Sequence, residues 1–251
     1  MGIKQIIKGL DGSQQSIGYS AVVPSGLQYI NFFGGDVDQA RNLALTGGAA
    51  NLIGQPAVGD MANGALFASH TAYVQTPVKL SAQMTIIGVF CPNSDTRAYA
   101  VSSATTDRPI GLSIYSNPTS TSGVQSLTIQ LGGVNSSTGA NTAVSTEITN
   151  AIRNNTPIAF AATIDCSTLS AAKATIKDLK AGKSATDTRS LSSINTTGGR
   201  FLIGSDLDST TYAGSRVLQA AIWNRVLTDD EIKAQYGQIQ SFYSNVLGVD
   251  I

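Results

Sequence analysis

Residues 199–236 read GRFLIGSDLDSTTYAGSRVLQAAIWNRVLTDDEIKAQY, and three elements follow from them. Phe201 to Ser205 and Val217 to Trp223 are short apolar runs bounded by turn-forming residues, the pattern of buried strands. Thr228 then precedes Asp229, Asp230 and Glu231. Thr228 at the N-cap and Glu231 three residues on form a capping box, in which each side chain satisfies a free backbone N–H of the first turn. The acidic first turn also suits the positive end of the helix dipole. Beyond it, Ile232, Tyr236, Ile239, Phe242, Tyr243 and Val246 fall along one face, so a helix is expected to run on to Asn245–Gly248.

Working outward, residues 36 to 224 alternate strand, turn and strand. Candidate strands are Ala65 to Phe67, Ala72 to Thr76, Met84 to Cys91, Ala98 to Ser102, Ile110 to Tyr115 and Ser126 to Leu131, followed by Ile158 to Asp165 and Ala172 to Asp178. In LTIQL, Leu127, Ile129 and Leu131 share one face while Thr128 and Gln130 share the other. Asn117-Pro118, Gly132-Gly133, Asn155-Thr156-Pro157 and Gly198-Gly199 separate the runs. The stretch from Val134 to Thr146 reads as a long exposed connection. Many short strands with no alternating long helices predict an all-β sandwich or barrel.

Composition narrows the function. Hydrophobic residues make up 42% of the 251, enough for a sizeable core. Charged residues are only 13%, against roughly 25% in globular proteins at large. Sixteen basic residues balance sixteen acidic ones without a Lys/Arg run, which disfavours nucleic-acid binding. No stretch has the ~18 apolar residues of a membrane-spanning helix. The start, MGIKQIIKGLDGSQQ, lacks the apolar core of a secretory signal, so synthesis in a host cytoplasm without export by a signal peptide is expected.

The same 199–236 stretch resembles the C-terminal signature of concanavalin-A-like, laminin-G-like jelly-roll domains. The matching residues are Ile203-Gly204, Ile222-Trp223-Asn224-Arg225-Val226-Leu227, Thr228 and Glu231-Ile232. Upstream, Met84 to Phe90, Ala159 to Asp165 and Ala172 to Gly182 agree in order and pattern, although the family's aromatic and Asp/Asn-Gly turn are replaced in the last. The resemblance covers residues 36 to 247. It implies an all-β, two-sheet antiparallel jelly-roll sandwich in which Trp223 is buried against the sandwich and the capped helix covers an open edge or end. It also raises the prospect of calcium at loop ends and of carbohydrate as ligand. A fold does not by itself fix a function.

Candidate chemistry is sparse. Retaining glycosidases need two carboxylates ~5 Å apart. The only glutamates are Glu147, in a region that reads as loop, and Glu231, used by the capping box. His70, the sole histidine, lies in LFASHTAY without a GxSxG elbow, which favours a structural or surface role. Asp206 and Asp208, in GSDLDST, are the best candidate metal ligands, since a D-x-D loop can offer oxygens to Ca²⁺; a solvated loop is the plainer reading. Arg97, Tyr99 and Tyr115 are candidate ligand-binding residues, able to stack on a sugar or pair with an acidic one, against simple packing of the tyrosines. Cys91 and Cys166 end apolar runs, which suits buried free thiols; a disulfide requires those ends to lie side by side.

Residues 1–35 are set apart as an N-terminal arm from a jelly-roll domain at 36–251. Ile3, Ile6, Ile7 and Leu10 have helical spacing. The arm either packs on the main domain or contacts another subunit. Low charge, Ser/Thr/Gly/Ala richness and this arm suggest a bacteriophage virion protein (tail, fibre or capsid decoration), non-catalytic, joined to other virion subunits or to itself, with cell-surface polysaccharide as a ligand. A stand-alone lectin-like protein is the alternative.

Overall fold

A computed structural model describes residues 20–45, 47–104, 111–194, 199–207 and 212–251. The strands are β1 (Leu27–Phe32), β2 (Asn51–Ile53), β3 (Ala57–Val58), β4 (Ala65–Phe67), β5 (Tyr73–Lys79), β6 (Gln83–Pro92), β7 (Ala98–Ser102) and β8 (Leu112–Pro118). There follow β9 (Val124–Asn135), β10 (Asn141–Arg153), β11 (Ile158–Asp165), β12 (Ala172–Asp178), β13 (Lys183–Arg189), β14 (Leu191–Ile194), β15 (Arg200–Ile203) and β16 (Ser215–Trp223). Helix α1 (Asp229–Phe242) and a π-helical turn at Tyr243–Leu247 come last. Sheet I has the order β13-β12-β11-β6-β16-β4-β3, with β1 also on β16; sheet II runs β10-β9-β8-β7-β15-β5-β2, with β14 on β9. Each of these pairings is antiparallel, giving the expected two-sheet sandwich with one C-terminal helix.

Two cores hold the molecule. One lies between the sheets, where Ile86, Phe90, Phe160 and Ile222 of sheet I meet Ile114, Leu127, Ile129 and Phe201 of sheet II. The other lies on the far side of sheet I, where Ile87, Val89, Ala159, Ala161, Leu218, Ala221 and Trp223 are covered by Ile232, Ile239 and Tyr243 and by residues 21–44. Strands β6, β11 and β16 therefore bury both faces, which explains their unbroken apolar runs. Trp223 belongs to this outer core, and its indole Nε1 donates to the Val23 carbonyl at 2.8 Å. The helix thus covers a sheet face, not the edge or end expected from the resemblance. Gly204, at φ +77°, lies so close to Phe67 that a Cβ there would come within 2.3 Å of the phenylalanine Cβ. That accounts for the Ile-Gly pair after β15.

The capping box forms as predicted: the Glu231 amide donates to Thr228 Oγ1, and the Thr228 amide donates to the Glu231 carboxylate. Arg225 adds a forked pair to that carboxylate at 2.6 and 2.8 Å, and its Nε donates to the Ser25 carbonyl. The turn, the helix start and the N-terminal segment are thereby clasped together.

Three expectations need correction. The boundary drawn between residues 35 and 36 is too late, because β1 pairs with β16 from Leu27↔Trp223 to Phe32↔Gln219 and is part of sheet I. Ile3, Ile6, Ile7 and Leu10 lie outside the described residues. The supposed connection from Val134 to Thr146 is the end of β9, a short turn, and the start of β10. Glu147 accordingly sits on a strand. Cys91 and Cys166 are free and buried, and burial pushes each thiol up to about 11.

Replacing Trp223 with Ala should destabilise the fold by about 3–5 kcal/mol, because it empties the outer core and strands the Val23 carbonyl; denaturant unfolding measures this. The Arg225 fork, helped by the Thr228 amide, holds the Glu231 carboxyl at about 2, well below its ordinary 4.5. Its folded value is depressed, so the stabilisation is complete above 4.5 and is lost as pH falls through about 2. Glu231→Gln should flatten the stability–pH curve over that window, as read from denaturant midpoints.

Candidate functional site

Arg97 immediately precedes β7, which pairs with β8 so that Tyr99 stands opposite Tyr115. Leu112 and Ile114 of β8 enter the inter-sheet core, so the two-residue period turns Tyr115 to the other face of sheet II. There the Tyr99 ring packs on Tyr115, centroids 5.4 Å apart, and on Tyr212 at 5.5 Å. The Arg97 guanidinium lies 4.6 Å from the Tyr115 centroid and 5.5 Å from that of Tyr212. Its Nη2 donates to Asn117 Oδ1 at 3.0 Å. A cation held over two aromatic rings is attracted by their negative faces, by about 0.5–2 kcal/mol depending on desolvation. The planar fork is thus pre-positioned to hydrogen-bond a partner.

The structure brings all three sequence-predicted ligand residues together but gives them different parts. Arg97, Tyr212 and Asn117 are half-buried and reach solvent. Tyr99 is only 1% exposed and Tyr115 5%, so neither offers a free ring face to a sugar. They are the platform under the arginine. Asn117 was legible only as a turn residue, and Tyr212 arrives from the β15–β16 connection, whose approach to β7 no local pattern announces.

The loop leading into Arg97 is braced by Asp95. Its carboxylate accepts from the Ser122 hydroxyl, the Gly123 amide and the Asn154 side-chain amide, joining the β6–β7, β8–β9 and β10–β11 connections. Those bonds, the Ser122 hydroxyl first, hold the Asp95 carboxyl below its ordinary value.

Asp206 is fully buried, with Oδ1 3.2 Å from His70 Nε2. His70 adopts a left-handed backbone (φ 65°), and its amide donates to Ser205 Oγ. Histidine here has a structural partner, and the carboxylate proposed for calcium is engaged by an imidazole. Asp208 lies outside the described residues. Among the described residues no three His, Cys, Asp or Glu side chains gather, so they do not assemble the oxygen-rich set that calcium takes. Glu147, on β10 of sheet II, accepts from Thr128 Oγ1, whereas Glu231 is clasped on the outer side of sheet I. The two do not form a pair. No helix among the described residues is long and apolar enough to cross a membrane.

The fold so defined is an antiparallel two-sheet β-sandwich with a helix packed on one sheet. No protein-family model matches the sequence, and no curated protein matches it. Solved structures do. The botulinum neurotoxin serotype D ligand-binding domain in complex with N-acetylneuraminic acid superposes with a TM-score of 0.56 at 9% identity, over 86% of this chain and 52% of that one. This chain thus spans about half the length of that domain. Domain 4 of AbnA, a GH43 extracellular arabinanase from Geobacillus stearothermophilus, in complex with arabinotriose, gives 0.51 at 14% identity over 83% and 97%. A Trypanosoma rangeli sialidase gives 0.54 at 12% identity over 93% and 35%. At these identities the likeness is one of fold.

Asp95→Ala should leave the sandwich folded while releasing the three loops. Faster hydrogen exchange at the Gly123 amide, with the amides of β9 unchanged, is the expected readout. In the wild type the same release should come only when pH falls below the ordinary carboxylate range, because the depressed Asp95 keeps its charge down to there.

Proposed function

We propose that this chain is a non-catalytic, lectin-like domain of a bacteriophage virion protein, in a tail, fibre or capsid decoration, that binds host-surface glycan through Arg97. The observation that carries the glycan reading is the Arg97 fork stacked over Tyr115 and Tyr212 beside Asn117. A fixed guanidinium and a neighbouring amide suit sugar hydroxyls and, bidentately, a sugar carboxylate. The sandwich is shared with domains whose solved complexes hold N-acetylneuraminic acid and arabinotriose, which supports the ligand class. The 199–236 signature supports placing it among concanavalin-A-like, laminin-G-like jelly rolls.

The virion part rests on sequence. Charged residues are scarce, Ser, Thr, Asn and Gly are abundant, and the helical spacing of Ile3, Ile6, Ile7 and Leu10 suits contact with a neighbouring subunit, either another virion protein or a second copy.

The test is binding of the full chain to a panel of bacterial surface polysaccharides and sialylated glycans. Selective binding is expected, with a loss of about tenfold or more in Arg97→Ala, the scale of one charge-assisted contact. Arg97→Lys should recover little, since a point charge cannot reproduce the fork. Silence across the panel, or binding indifferent to Arg97, would overturn the glycan reading.

A further inference from the structure

The outer face of sheet I is only partly covered by α1. Ala159 and Ala161 lie under the helix, but β12, β13 and the end of β11 extend past it. The resulting trench has the outer face of β11–β13 as floor and the start of α1 as wall. It comprises two cavities of about 300 and 330 Å³ that share Lys177, Ser184, Asp229 and Ile232. Each alone reaches the size at which small-molecule sites begin, in a range of roughly 300–1,000 Å³.

The floor is built by register. Thr163 stands opposite Thr175, and Thr175 opposite Thr186, so three hydroxyls form a row at the ~4.8 Å strand spacing. Thr175 and Thr186 are already linked, Oγ1 to Oγ1, at 2.9 Å. In the next row of the same face, Lys177 stands opposite Ser184, and its ammonium reaches Asp229 at 2.7 Å, marking the junction of the two cavities. The inward neighbours Ala174, Ile176 and Ala185 face the core, so the polar row is fixed by the pleat.

Charge distinguishes the two cavities. In the first, Asp165 accepts from Ser167 and from Gln83, and Lys173 stands opposite it across the strands. In the second, Lys183 and Lys233 are exposed and make no salt bridge among the described residues, and Lys183 stands opposite the buried Asp178 across the strands, where Asp178 accepts from the Ala181 amide. Tyr236 closes that end, its hydroxyl donating to the Ile251 carbonyl. Hydroxyl donors and acceptors in a row, ending at two exposed ammonium groups outside any salt bridge among the described residues, suit a chain of sugar units that carries carboxylates.

We propose that this trench is a second carbohydrate site, separate from Arg97, which takes an anionic oligosaccharide of the uronic-acid class. The hydroxyl row receives the sugar hydroxyls, and Lys183 and Lys233 receive a carboxylate.

Calorimetric titration of the full chain with tetragalacturonate, and with maltotetraose as the uncharged comparison, tests this. Tetragalacturonate should bind, and more weakly as ionic strength rises. The Lys183→Ala/Lys233→Ala variant should lose about tenfold or more in affinity, and Lys183→Glu at least as much. Repeating the titration in the Arg97→Ala background removes the other site, so binding that survives there and is lost with the lysines belongs to the trench, which separates failure here from failure at the other site. Absence of tetragalacturonate binding, equal binding of maltotetraose, or indifference to the lysine changes in variants with wild-type circular dichroism would each overturn the proposal.

Discussion

The controlling constraint in this molecule is that the central strands of sheet I are apolar on both faces. A sandwich of two sheets can satisfy only the inner one. Ile87, Val89, Leu218, Ala221 and Trp223 would otherwise present a contiguous apolar patch to water, and a patch of that kind must be covered. The cover comes from the two ends of the described chain. Residues 21–44 supply one part, and α1 with Tyr243 supplies the other. Tyr243 is locked in place by its hydroxyl, which donates to the Leu218 carbonyl at 2.8 Å. The capping box and the Arg225 fork then fix where the helix begins, because an error of one residue would rotate its apolar face away from the sheet.

The same logic leaves sheet II with a different kind of outer face. There Tyr99 of β7 and Tyr115 of β8 turn from the core and pack on each other, and the Tyr212 ring packs on Tyr99. Aromatic packing there presents the Arg97 guanidinium at the surface, held by Asn117, Tyr115 and Tyr212. A cation-on-aromatic platform is rigid and selective at once. The trench on sheet I is of another construction, a flat row of hydroxyls made by β-register beside a helical wall.

Much of this was legible in the sequence, for identifiable reasons. Apolar strands such as β6, β11 and β16, and the capped helix, announce themselves because burial and capping leave local marks. β10 did not. Its buried residues Val144, Ile148 and Ile152 are separated by Thr146 and Asn150, and the ladder shifts register between Ile148 and Ile152, where Asn150 takes a left-handed conformation. β13, KSATDTR, is polar on nearly every position and is a strand only because β12 pairs with it over seven residues. At the site, Arg97, Tyr99 and Tyr115 could be named in advance since β7 and β8 are adjacent in the chain. Tyr212 and the His70–Asp206 contact could not, being made across 113 and 136 residues respectively.

The clasp between the N-terminal segment and β16 also sets an order of events during synthesis. Val23 and Trp223 are 200 residues apart, and β1 has no sheet partner until β16 has left the ribosome. Until then the outer surfaces of β6 and β11 stand uncovered, and α1, the piece that seals them, comes later still in the chain. A nascent chain of this design carries its stickiest surface until β16 and α1 have been made, the condition under which unfinished proteins associate. Keeping that surface from other chains until α1 arrives is therefore a demand that the strand order itself imposes.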